Sequence, residues 1–286
     1  MKSQRKWTLI AGVLGTGIVG KVSVDVEAFQ RSACHLQVHP HNLLLNRNSK
    51  HSNSYYTTLS STAFNTISID ESTVRDIGSM DEWATACGVQ RAGGFQLAVT
   101  NGPQQEQDGE PMDVGVITTE NLPKGSPVLL VPTDMILSGR RVREEEFGPI
   151  PVAEEVLHST NESDQLPQWY LMVKVLTEYQ RGVDSPWYPW LNSLPRFFSN
   201  GASMTHLCCS ECLPPLVGML AIRERTRFSR FFRALRDVEF LDDSIKQNRK
   251  LAKWAFAVVY TRLVEDATTG DVKVVPMADM VMFYTN

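Results

Sequence analysis

Three stretches of the sequence bring chemically capable side chains close together. The first is His206-x-Cys208-Cys209-x-x-Cys212, in which every named residue can ligate zinc. Structural zinc closes a tetrahedron with two separated ligand pairs. No second pair exists, because Cys87 is isolated and Cys34 lies far upstream, so free or buried thiols are expected and no metal. His158 and His206 have no nucleophile pattern around them, and a catalytic cysteine is not expected. The second stretch, Gly15-Thr16-Gly17-Ile18-Val19-Gly20, fits G-x-G-x-x-G, the turn that cradles a pyrophosphate in dinucleotide folds. Such folds hold the ribose with an acid about 20 residues on. Here Phe29 to Ile69 contains no Asp or Glu, and no βαβ pattern follows. The third stretch closes the chain. An apolar helix ends in Thr261-Arg262, followed by an acidic turn at Asp266–Asp271 and a strand Val272–Val275. Then comes Val275-Pro276-Met277-Ala278-Asp279-Met280.

The elements that must position these groups are mostly legible. The 286 residues correspond to one large domain or two small ones, and 42% hydrophobic with 21% charged residues is ordinary globular composition. A net charge of -4 argues against a nucleic-acid protein, which needs clustered cations for phosphates. Met80-Asp81-Glu82-Trp83 reads as a helix start capped by Asp81, with Trp83, Ala84 and Cys87 facing inward and Gly88 as the stop. Strand-like runs follow at Phe95–Val99 and Val114–Thr118 around a polar turn Asn101–Pro111, and again at Val128–Pro132. Leu166–Tyr179 carries apolar residues at 169, 170, 172, 173, 175 and 176 and predicts a largely buried helix ended by Arg181-Gly182. From Leu213-Pro214-Pro215-Leu216 another helix interleaves Arg with Phe as far as Arg236. RNA could stack on such a pattern. With an acidic chain the better reading is an amphipathic helix, phenylalanines inward and arginines solvated or paired with Glu224, Asp237 or Glu239. A basic face that recognises an acidic protein substrate is the third reading. The last helix is expected over Lys246–Val264.

Several of these motifs together resemble one family. Ser185-Pro186-Trp187-Tyr188-Pro189-Trp190-Leu191-Asn192-Ser193-Leu194-Pro195 is similar to the S-x-W-x-P-Y-L-x-x-L-P turn of SET-domain protein methyltransferases, in the Rubisco large-subunit lysine methyltransferase-like branch. The closing stretch resembles the cofactor end of that branch, where a helix ending in Ser-Arg leads to Pro-Leu/Met-Ala-Asp and then Asn-His. Asp113-Val114-Gly115-Val116, with Lys124-Gly125 and the strand ending in Pro132, resembles its first glycine motif. The resemblance covers about Met80 to Met280. It implies an α+β fold, a SET-domain β fold of short strands with a large helical insert over about 140–250. It implies S-adenosyl-L-methionine as cofactor. The cofactor-binding residues carried over are Asp113, Val114 and Gly115 through their backbone, and Arg262 and Asp279. Arg262 would pair with the cofactor's carboxylate or a neighbouring acid, and Asp279 would anchor its turn or touch the cofactor. The implied reaction is methylation of a protein lysine, with a histidine acceptor or a non-catalytic, partner-binding SET remnant as alternatives. The tryptophan- and proline-rich turn would lock the insert onto the SET sheet.

This sequence also departs from the family pattern. Met282-Phe283 stands where Asn-His is usual, and the chain stops at Asn286. The fold is therefore expected to be incomplete at its C-terminus, truncated before the Asn-His turn, the catalytic tyrosine region and the C-terminal helical domain. No catalytic residue is assigned, Tyr284 included. At the other end, Lys2, Arg5 and Lys6 precede an apolar run from Trp7 to Gly20, a signal-peptide-like pattern over 1–28, too short and Gly-rich for a stable membrane anchor. Residues 29–79 are largely rich in Ser, Thr, Asn and His, a transit-peptide-like or disordered composition. A bipartite leader to a plastid is expected, with the secretory pathway or cytoplasm as alternatives. The expected domain then occupies 80–286, is monomeric, binds no nucleic acid and acts on a protein partner.

Overall fold

The computed structural model describes Thr8–Leu9, residues 67–99 and residues 114–280. The first helix, α1 (Ile77–Ala86), starts earlier than expected. Asp76, not Asp81, is its cap, accepting the Ser79 N–H at 2.9 Å. Asp81 lies inside the helix and pairs with Arg91 at 2.7 Å. Gly88 ends the segment with φ +88°, where a Cβ would be strained. The packed region also begins ahead of Met80, since Ile67 is buried in the core and the Arg75 Nε donates to Ser193 O at 2.7 Å.

The strands are short and form three small antiparallel groups. Thr8–Leu9 (β1), Gln90–Arg91 (β2) and Leu129–Val131 (β5) make one, in the order β1-β5-β2. Phe95–Val99 (β3) and Val114–Thr118 (β4) form a hairpin ladder in which Ala98 faces Gly115 and Val99 faces Val114. Leu137–Ser138 (β6), Leu263–Glu265 (β7) and Val272–Val274 (β8) make the third, in the order β6-β8-β7. The third group joins the two ends of the helical region, because β6 precedes it and β7 and β8 follow it.

Between β6 and β7 the chain is helical. The segments are α2 (Gly139–Arg141), α3 (Pro151–Ser159), α4 (Leu166–Arg181), α5 (Tyr188–Ser193), α6 (Pro215–Ala234), α7 (Asp243–Lys246) and α8 (Arg249–Arg262). The periodic apolar pattern is answered directly: Trp169, Tyr170, Leu171, Met172, Val173 and Leu176 of α4 are fully buried, packed against α8. Lys174, buried on the same helix, is neutralised by Glu178 at 2.8 Å and by Glu146. The final helix is shorter than Lys246–Val264. Asn248 caps it through the Leu251 N–H at 3.0 Å, and Lys246 belongs to α7. On α6 the phenylalanines do turn inward, Phe228 and Phe231 completely. The arginine partners differ from those expected: Arg227 and Arg230 both reach Glu162, at 3.1 and 2.7 Å. Glu224 is turned the other way, accepting the Gly201 N–H at 3.2 Å.

Candidate functional site

The site is built from the C-terminal end of α8 and the turn that follows β8. Trp254 holds α8 in place by donating its indole N–H to Pro195 O at 2.9 Å. Val258 and Val259, in the same last turns, are buried, so Arg262 is delivered at a fixed position. After β7 the chain reverses at an acidic turn. Asp266 accepts the Thr268 N–H at 2.9 Å and pairs with Lys273 at 2.7 Å. The Lys273 hydrogen bond, ahead of those from the turn, holds the Asp266 carboxyl well below the usual range. Asp271 ties the start of β8 to the other end of the helical region. It accepts the Ser138 hydroxyl at 2.6 Å and the Arg140 N–H at 3.0 Å.

Beyond β8 comes a buried non-glycine residue with left-handed backbone, Met277 at φ +72°. Such a conformation costs roughly 1–3 kcal/mol and persists where surrounding packing enforces it. It starts the 3-10 turn Ala278–Met280, in which Asp279 N–H donates to Val275 O at 3.0 Å. The strain therefore aims Asp279 inward. Its side chain is 1% exposed and its Oδ2 lies 3.2 Å from Arg262 Nε, itself on a side chain 11% exposed.

The two residues picked out at the ends of different elements thus meet as a buried ion pair. Trp190 of α5 donates its indole N–H to the same Oδ2 at 3.0 Å. The Phe198 ring lies under the guanidinium, 5.2 Å from centroid to Cζ. Arg262 Nη1 donates to Thr261 Oγ1 at 2.9 Å. Burial pushes the Asp279 carboxyl up, against the opposing pull of Arg262 and the Trp190 hydrogen bond. Burial likewise pushes the Arg262 guanidinium down, against Asp279. Asp279 Oδ1 is buried and makes no hydrogen bond among the described residues. A dry, fixed cation with an adjacent orphaned acceptor suits a ligand carrying both a carboxylate and a donor.

The other strand-borne residues converge on this corner. The Ala278–Met280 turn packs against β4, where Val114 and Gly115 are both buried. Val114 also lines a groove of about 590 Å³, together with Arg75, Arg91, Phe95 and Leu97. That volume is within the range of small-molecule sites. Arg75 links the groove to the turn, its Nη2 lying 3.6 Å from Met280 Sδ. Asp113 and Tyr284 lie outside the described residues.

The tryptophan- and proline-rich segment touches both α1 and the turn after β8. It packs on α1, with Trp187 edge-on to Trp83 at 5.8 Å, and bonds directly to the Asp279 turn. Three further residues contribute to the corner: Trp190, assigned above only to packing, and Phe198 and Arg75, which carry no motif. For Trp190 a signal existed, since an aromatic with a polar edge is usually hydrogen-bonded when buried. Nothing in the sequence marks Phe198 or Arg75. Among the described residues, no group of three or more His, Cys, Asp or Glu could hold a metal ion. No described helix is long and apolar enough to cross a membrane.

No protein-family model matches the chain, and no curated protein matches it. Solved structures do. The SET domain of LSMT bound to lysine and AdoHcy superposes with a TM-score of 0.55 at 14% identity, over 74% of this chain and 46% of that one. Rubisco LSMT bound to AdoMet gives 0.51 at 16% identity, over 73% and 44%. The SET domain of LSMT bound to methyl-lysine and AdoHcy gives 0.51 at 16% identity, over 71% and 43%. The chain spans less than half the length of these structures. At such identities the likeness is one of fold: the described part of this chain has the α+β, SET-domain fold seen in the Rubisco LSMT structures.

Proposed function

We propose that the Arg262–Asp279 corner holds S-adenosyl-L-methionine and that the chain belongs to the SET lineage of protein-lysine N-methyltransferases. The observation that carries this reading is the buried ion pair itself, formed on a SET fold by the two residues that the family motif marks. The groups present fit that cofactor. Arg262 would meet its carboxylate, and Asp279 Oδ1 would accept from its ammonium. When bound, the cofactor supplies a methyl group on a sulfonium. What the chain supplies is orientation and exclusion of water, which a displacement at carbon with a neutral amine requires. The relatives in fold are bound to lysine or methyl-lysine in their sites, which supports lysine as the acceptor here. A plastid protein as the substrate rests on the composition of the leader alone.

One observation favours a second reading. Met282-Phe283 stands where the family motif has Asn-His, so the chain could bind the cofactor or a partner without transferring a methyl. Incubation of the full chain with methyl-labelled S-adenosylmethionine and a plastid extract separates the two. Label on lysine supports the enzyme, and label on histidine changes the acceptor. Binding without labelled protein supports the non-catalytic module. No binding removes the proposed site.

A further inference from the structure

The cysteines that fail as a zinc site have a geometry of their own. Cys208 and Cys212 bracket a single π-helical turn, Cys208–Cys212, just before α6. Cα atoms four residues apart in such a turn are roughly 5–6 Å from one another, within the span a disulfide closes. The Thr205 hydroxyl donates to Cys208 Sγ at 3.0 Å and itself accepts the Cys208 N–H at 3.1 Å. The Thr205 hydroxyl and backbone hydrogen bonds to the sulfur, and then one with the Cys212 thiol, hold Cys208 below the usual thiol range against a smaller effect of burial. Cys212 is exposed, whereas the intervening Cys209 is buried at 2% exposure.

We infer that Cys208 and Cys212 form a thiol–disulfide exchange site, Cys208 attacking a small-molecule disulfide and Cys212 resolving the adduct. The Cys208 thiolate attacks one sulfur of oxidised glutathione, forming a mixed disulfide and releasing one glutathione thiolate, which takes up a proton. Cys212, having lost its proton to solvent, then attacks the Cys208 sulfur and releases the second glutathione. Two protein thiols become one disulfide, and one glutathione disulfide becomes two thiols. The inference rests on this turn alone and is independent of the cofactor site.

Treatment of the full chain with oxidised glutathione, followed by peptide mapping in a mass spectrometer, tests it. The unaltered chain should show a Cys208–Cys212 cross-link with the loss of two hydrogens and little retained glutathione. C212S should accumulate the glutathione adduct on Cys208, and C208S should lose the cross-link. T205V should raise the pH midpoint of Cys208 alkylation while leaving the cross-link possible. The proposal is overturned if Cys212 or Cys87 reacts ahead of Cys208. It is also overturned if the adduct persists with Cys212 present, or if C212S still closes an internal disulfide through Cys209.

Discussion

Asp279 shows how strongly single residues are determined at this corner. Its Oδ2 receives both Arg262 and Trp190, from elements that reach it independently. Removing one partner of a buried pair leaves an uncompensated charge, at a cost of about 3–5 kcal/mol, whereas replacing both with apolar groups of similar volume is often neutral. R262A is therefore expected to be far less stable in urea denaturation than R262M/D279L. W190F keeps a ring but removes the indole donor, and is expected to lose about 1–3 kcal/mol by the same measurement. Arg262 and Asp279 were each legible as candidate residues because both belong to one contiguous motif, a helix end and the turn after a hairpin, but their pairing with each other was not. The role of Trp190 was not, since its acceptor lies far along the chain and only docking of α5 brings them together. Met277 was equally illegible: nothing in the residue type announces a left-handed backbone, which the packing imposes.

Among the elements, α3, α4 and the π-helical segment Val142–Phe147 are tied by one polar cluster. Arg143 donates to both Glu154 oxygens, at 2.8 and 3.0 Å, and the Tyr170 hydroxyl donates to Glu154 at 2.6 Å. The Arg143 hydrogen bonds, more than that from Tyr170, hold the Glu154 carboxyl below its usual range. Burial, and then Glu154, push the Tyr170 hydroxyl up to about 12. Because the folded-state value of Glu154 is depressed, its contribution to stability is complete above the ordinary glutamate range. It is lost as pH falls through the depressed value. Urea midpoints should therefore fall on acidification below roughly pH 4, and E154Q should flatten that acid limb while costing about 1–3 kcal/mol at neutral pH. At α6, a Cβ on Gly218 would fall inside contact distance of the Cys209 carbonyl oxygen. G218A is expected to destabilise by about 1–3 kcal/mol in the same assay, as backbone is forced aside. The helices themselves were readable from period and composition, α4 most clearly. Their ion pairs were not, because Glu162 meets Arg227 and Arg230 from a separate connecting segment. Periodicity tells which face is buried, and leaves open which acid waits on the facing element.

For the whole molecule, the candidate site lies where the hairpin of β3 and β4 meets the turn that follows the third strand group. β4, the α8 terminus and the turn after β8 each supply part of it, and α5 holds the turn from behind. The SET fold was foreseeable because its motifs carry fixed turns and strand ends. The groove beside β4 was not, because its walls combine α1 with the hairpin. The central proposal is that the Arg262–Asp279 corner binds S-adenosyl-L-methionine. Calorimetric titration of the cofactor into the unaltered chain and into folded R262M/D279L tests this most directly. Saturable binding by the unaltered chain and its loss in the double variant are the predicted result. Absence of binding to the unaltered chain, or equal binding by both, would contradict it.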